Sequence, residues 1–142
     1  MIFQTDSEFE PDIQHFGCYF LSLLWQLNRL LGVPDLDHKV IEVIYNHEKE
    51  DKDMASEAFI QNPQGLVDFI APGKVHFVGK QDKSYQCAPG EFAVQCWYNP
   101  ATDFHHFVAE GSDGGVGYDP IQGGSRTVRE GAIDSKRVYL LI

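Results

Sequence analysis

The stretch CYFLSLLWQLNRLLG, residues 18–32, constrains the fold more than any other part of the chain. Phe20, Leu23, Leu24, Leu27 and Leu31 recur at three- and four-residue steps, the spacing of a helix face, and Gly32 with Pro34 ends the run. Apolar side chains cover much of its circumference, so this helix is expected to be central and buried, with other elements packed around it. A second helix is expected in LDHKVIEVIYNHE, capped by Asp35 or Asp37 and carrying Val40, Ile41, Ile44 and Tyr45 on one face. A third, split helix is read in ASEAFI and PQGLVDFI, with Pro63 at a helix start. After Ala71-Pro72-Gly73 the texture changes. KVHFVG, EFAVQCWY, FHHFVAEG, GVGYDP and RVYLLI read as strands separated by Gly, Pro, Asn and Asp turns. The expected class is α+β, with helices first and then an antiparallel sheet packed against the first helix.

With 142 residues, no internal repeat and no low-complexity linker, the chain reads as a single domain over residues 1–142. The formal net charge of −10 argues against a nucleic-acid partner, which needs clustered Lys and Arg. Much of the acid lies in NHEKEDKDMASE, read as a solvated helix end or loop. No run is apolar enough to span a bilayer, and the acidic start MIFQTDSEFEPD lacks a signal pattern, so neither a membrane partner nor export is expected and the location is expected to be cytoplasmic. The three cysteines, Cys18, Cys87 and Cys96, are odd in number and form no CxxC pair, which argues against a disulfide framework or a structural zinc site. DKDMASEAF starts like a calcium loop but lacks the glycine and terminal Glu at their offsets. No cofactor or metal is expected.

The residues that bear chemistry form an ordered set. Cys18 follows Phe16-Gly17 at the head of the apolar helix, and a helix N-terminus favours the reactive thiolate through its unpaired N–H groups. A thiolate needs a base, and His105 and His106 begin a strand far downstream, on opposite faces of it. Opposite faces also make the two a poor chelate for one metal. A base needs an orienting carboxylate, and the Gly-rich turn in GSDGGVGYDP returns the chain as a strand that carries Asp119 back towards the histidines. Each residue alone also has an ordinary structural explanation; together they are in the order expected of papain-like cysteine enzymes. Cys96 reads as core, Cys87 as uninformative, and Trp25 and Trp97 as core or cleft wall.

The glycine-cysteine-aromatic start before an apolar helix, with His106-Phe107-Val108 and Tyr118-Asp119-Pro120 downstream, resembles the papain-like cysteine peptidase superfamily. The most similar type is the bacteriocin-processing peptidases that cleave after a double glycine. The FGCYFL start is also similar to that of a small protein family of spirochaetes and phages. The resemblance covers roughly residues 14–142 and implies a papain-like fold, with the Cys-bearing helix packed on a C-terminal antiparallel sheet. It implies a thiol hydrolase, a peptidase or amidase, in which Cys18 is nucleophile, His106 base and Asp119 its orienter. The substrate class is a peptide or a peptidoglycan-like amide. The oxyanion glutamine of such enzymes lies several residues before the cysteine; here Gln14 is closer than that spacing, and Gln4 is the more distant alternative. Phe16-Gly17 also replaces the polar lead-in of the family. The departure keeps a second reading open, a catalytically inactive papain-like module with a binding or phage-related structural role.

Overall fold

A computed structural model describes residues 2–142. Five helices, α1 (Pro11–Phe16), α2 (Cys18–Leu31), α3 (His38–Glu50), α4 (Pro63–Ile70) and α5 (Arg126–Glu130), accompany seven strands. The strands are β1 (Met54–Ala55), β2 (Phe59–Ile60), β3 (Val75–Asp82), β4 (Glu91–Asn99), β5 (Phe104–Glu110), β6 (Val116–Tyr118) and β7 (Ala132–Leu141). The molecule is α+β, and its main sheet is antiparallel with strand order β3-β7-β4-β5-β6. The last strand of the chain thus lies between the first two strands of the sheet. None of the described helices is long and apolar enough to cross a membrane.

The helix α2 occupies the centre, as its sequence requires. Phe20, Leu23, Leu24 and Leu27 have no exposure at all. They share the core with Ile41 and Tyr45 of α3, Leu66 and Val67 of α4, and Phe92, Val94, Ala109 and Tyr139 of the sheet. Burying each such side chain contributes about 1.5–3 kcal/mol. Two polar residues fix the helix against the sheet. Ser22 Oγ donates to Phe107 O at 3.3 Å, and Gln26 Nε2 donates to Ala93 O at 2.8 Å and Glu110 O at 2.7 Å. Gly32 ends α2 with a left-handed φ of 73° that a side chain would resist. Of the two cap choices for α3, Asp37 is the one used, its Oδ1 accepting from the N–H of Lys39 and Val40. Pro63 opens α4 behind the cap Asn62.

The ASEAFI segment is not helical. Met54–Ala55 and Phe59–Ile60 pair as a small antiparallel hairpin around a single 3-10 turn. Glu57 and Ala58 take left-handed φ values of 66° and 53°, outside any right-handed helix. Their N–H groups find acceptors far away in sequence, Asp12 Oδ2 for Glu57 and Tyr45 Oη for Ala58, both at 3.2 Å. Nor is NHEKEDKDMASE uniformly solvated: Glu48 and Met54 are 0% and 1% exposed, because the end of α3 and the hairpin fold over each other. Burial, then the neighbouring Asp53 charge, pushes the Glu48 carboxyl up to about 7. The short helices α1 and α5 add to the sequence-based expectation. Pro11 begins α1 and Ser125 caps α5.

Candidate active site

The chain makes a kink at Gly17, the single residue between α1 and α2. Its N–H donates to Ile13 O at 2.9 Å, and a Cβ built there would stand 2.5 Å from that same oxygen, so only glycine fits the bend. The helical ladder is interrupted here, and Cys18 becomes the first residue of α2. Gln14 O, the carbonyl one turn back, accepts Gln4 Nε2 at 3.1 Å instead. The Cys18 N–H is therefore one of the unpaired donors of a helix start. Cys18 is half-buried and stands on the wall of a cleft of about 720 Å³.

His106 lies on β5 opposite Trp97 of β4 and is 7% exposed. Asp119 follows the end of β6. Its Oδ1 accepts from His106 Nε2 at 2.7 Å and from the Ile121 N–H at 2.9 Å, while Oδ2 accepts from the Ser125 N–H at 2.8 Å. Three donors converge on one carboxylate, and they hold it below the usual Asp range although burial alone would raise it. A carboxylate only accepts, so the His106 proton sits on Nε2 in the neutral ring and Nδ1 keeps its lone pair. Burial pulls the imidazole pKa down. The Asp119 hydrogen bond, then the nearby Cys18 thiol, more than reverse this and bring it to about 9. Cys18, His106 and Asp119, separated by 88 and 13 positions in the sequence, are thus neighbours in space, the imidazole bonded to the carboxylate and near the thiol.

A family model described as "Protein of unknown function, DUF261" matches residues 1–141. The chain belongs to this family. No curated protein and no solved structure matches it.

The remaining site residues of this DUF261 member divide clearly. His105 is exposed, with its ring 4.7 Å from Tyr98, and it reaches the cleft rim rather than the carboxylate. Gln14 commits its amide to Phe9 O at 2.5 Å, within the N-terminal segment, and does not line the cleft. Gln4 is the glutamine at the head of α2: it is 5% exposed, its Nε2 is on Gln14 O, and its Oε1 has no partner. Its own N–H donates to Pro120 O at 2.8 Å, which ties the N-terminal segment to the Asp119 turn. Cys96 is buried and its thiol is pushed up to about 11 by burial. Cys87 donates to Glu110 Oε2 at 3.5 Å, and burial followed by that carboxylate raises it to about 12.

Trp25 and Trp97 do not line this cleft: Trp25 stacks on Tyr118 and Trp97 Nε1 donates to Gln95 Oε1. Phe16, Phe59 and Phe104 are 49%, 65% and 66% exposed and all open onto the cleft. Tyr19 stacks on Phe107 at 4.7 Å and bonds Tyr139 Oη at 2.6 Å, forming the floor beside Cys18. Lys80 and Arg137 bring positive charge to the same space. Phe104 and Phe107 flank the histidine motif and could have been found there. Phe59 could not, because it sits on the hairpin whose segment reads as helix.

Proposed function

We propose that the protein is a papain-like thiol hydrolase that cleaves an amide bond in a peptide or peptidoglycan-like substrate. The observation that carries the reading is the His106 imidazole, which donates from Nε2 to the Asp119 carboxylate and has the Cys18 thiol beside it. The start of α2 beneath Cys18, the open cleft, and a central helix against an antiparallel sheet support it further.

In this reading His106 Nδ1 takes the Cys18 proton and the sulfur attacks the amide carbon. The oxyanion forms against the Cys18 N–H; the amides of Gln4 and Gln14 are both engaged by backbone carbonyls and neither lines the cleft. The C–N bond breaks as His106 gives its proton to the leaving amine, which leaves a thioester on Cys18. Water, deprotonated by His106, attacks the thioester, and the acid and the free thiol are released. Asp119 holds the ring and stabilises the imidazolium throughout. The aromatic walls suit apolar side chains, and Lys80 with Arg137 suits acidic groups on the substrate.

The test is iodoacetamide labelling followed by peptide mass spectrometry from pH 5 to 9. Cys18 should label first in the native protein, and His106→Ala should raise the pH at which Cys18 labels. Equal labelling of Cys18 in both proteins would leave the inactive-module reading, which the engaged amide of Gln14 favours.

A further inference from the structure

The C-terminal end of α3 gathers three potential ligand atoms far from the thiol. Ligand atoms, one each from His47, Glu48 and Asp51, lie within 4.8 Å of one another. His47 Nδ1 is 3.4 Å from Glu48 Oε2 and 3.5 Å from Asp51 Oδ2. Donors at about 2.0–2.2 Å from a tetrahedral zinc ion stand roughly 3.3–3.6 Å apart, so two of the edges already have the required length. The imidazole is held in place by Phe69, whose ring stacks on it at 3.9 Å.

Glu48 supplies the second, independent observation. Its side chain is completely buried, and its Oε1 has no hydrogen-bond partner. Its other oxygen has only His47. The Asp53 carboxylate lies against it, close enough for the two carboxyl groups to share a proton, so the site brings together more acid than base. A buried carboxylate left unpaired costs several kcal/mol in proteins, and it is relieved by taking up a proton, by pairing with a cation or by coordinating a metal. Lys49, the neighbouring cation, is turned instead to Glu10 and the Tyr45 ring. The end of a helix also carries partial negative charge, which favours a cation. A protonated His47 would supply one positive charge but would leave Glu48 Oε1 unpaired.

We propose that His47, Glu48 and Asp51 bind a divalent transition-metal ion, zinc by the character of the donors, with water or Asp53 in the fourth position. One imidazole with carboxylates favours zinc over calcium or magnesium, which prefer all-oxygen shells. The location gives the ion a structural task. Asp53 N–H donates to Glu48 O at 2.9 Å, and Asp53 O accepts from the Gln61 and Asn62 N–H groups at 2.8 and 3.0 Å. The ion would fasten the base of the β1–β2 hairpin, whose residues Glu57–Gln61 wall the cleft.

Binding is measured on the full chain in a Cys18→Ala background, so that the cleft thiol cannot contribute. After treatment with a chelator, zinc is titrated against a chromophoric chelator, and thermal unfolding is followed with and without one equivalent of zinc, calcium or magnesium. One zinc per chain should bind and raise the Tm, while calcium and magnesium should not. Asp51→Asn, at an exposed position that carries no packing, should weaken zinc binding more than tenfold, and His47→Ala should abolish it. No zinc binding, binding unchanged in Asp51→Asn, or a larger Tm rise with calcium or magnesium would each overturn the site.

Discussion

At the residue scale, His106 and His105 differ by one position and by everything that chemistry requires. His106 holds Asp119 and meets Cys18, whereas His105 is exposed beside Tyr98. His106→Ala should lower any hydrolase rate about 10²–10⁴-fold and slow alkylation of Cys18, as loss of a general base commonly does. His105→Ala should leave both nearly intact, and Asp119→Asn should fall between. Damage from His105→Ala alone would refute the assignment, and kcat/KM with labelling rates on the three variants decides it. The thiols should also react in a fixed order. Cys87 and Cys96, at about 12 and about 11, stay protonated at neutral pH, so one equivalent of iodoacetamide at pH 7 should mark Cys18. Peptide mapping that finds Cys87 or Cys96 labelled first would contradict this. Cys18, His106 and Asp119 were legible because each stands in a short motif. The place of Gln4 was not legible, because what positions it is a bond to Pro120, 116 residues away.

At the element scale, the junction of α1 and α2 aims the thiol, and Gly17 makes the junction possible. Gly17→Ala would press a methyl group on Ile13 O, a backbone atom with little freedom to yield. It should cost roughly 1–3 kcal/mol in urea unfolding and slow Cys18 labelling as the helix start shifts. An unaltered labelling rate would show that the kink does not set the position of the thiol. Gln26 tests the attachment of α2 to the sheet. Gln26→Leu leaves Ala93 O and Glu110 O without their donor and should destabilise by about 3 kcal/mol. A cost below about 1 kcal/mol would mean that water replaces the amide. Long periodic elements such as α2, β4 and β5 could be read because local pattern and tertiary role agree in them. ASEAFI could not. Its composition suits a helix, but Asp12 and Tyr45 take its N–H groups from outside and fix a left-handed turn. Gln26 lay hidden in an apolar helix for a similar reason, since its two acceptors belong to strands 67 and 84 residues further on.

At the scale of the whole molecule, the His106–Asp119 pair links stability to pH. The pKa of His106 rises from 6.5 to about 9 on folding, so its contribution is complete below pH 6.5 and disappears as the pH climbs through 9. Asp119 is depressed from 3.8, so its contribution is present above that value and is lost as acid titrates the folded carboxylate. The Tm should therefore be highest between about pH 4 and 6.5 and fall towards pH 9 by an amount on the order of 3 kcal/mol in stability. His106→Ala should flatten the alkaline limb, and an unchanged limb would place the titration elsewhere. The strand order has a consequence for synthesis. β7, residues 132–141, lies between β3 and β4, so until it is made β3 has no partner in the sheet and β4 has only β5. Cys18 leaves the ribosome early, His106 and Asp119 leave late, and the strand that closes the sheet leaves after all of them. The nascent chain therefore carries the Cys18 thiol past neighbouring polypeptides before His106 and Asp119 are beside it, and the three come together only when the fold closes.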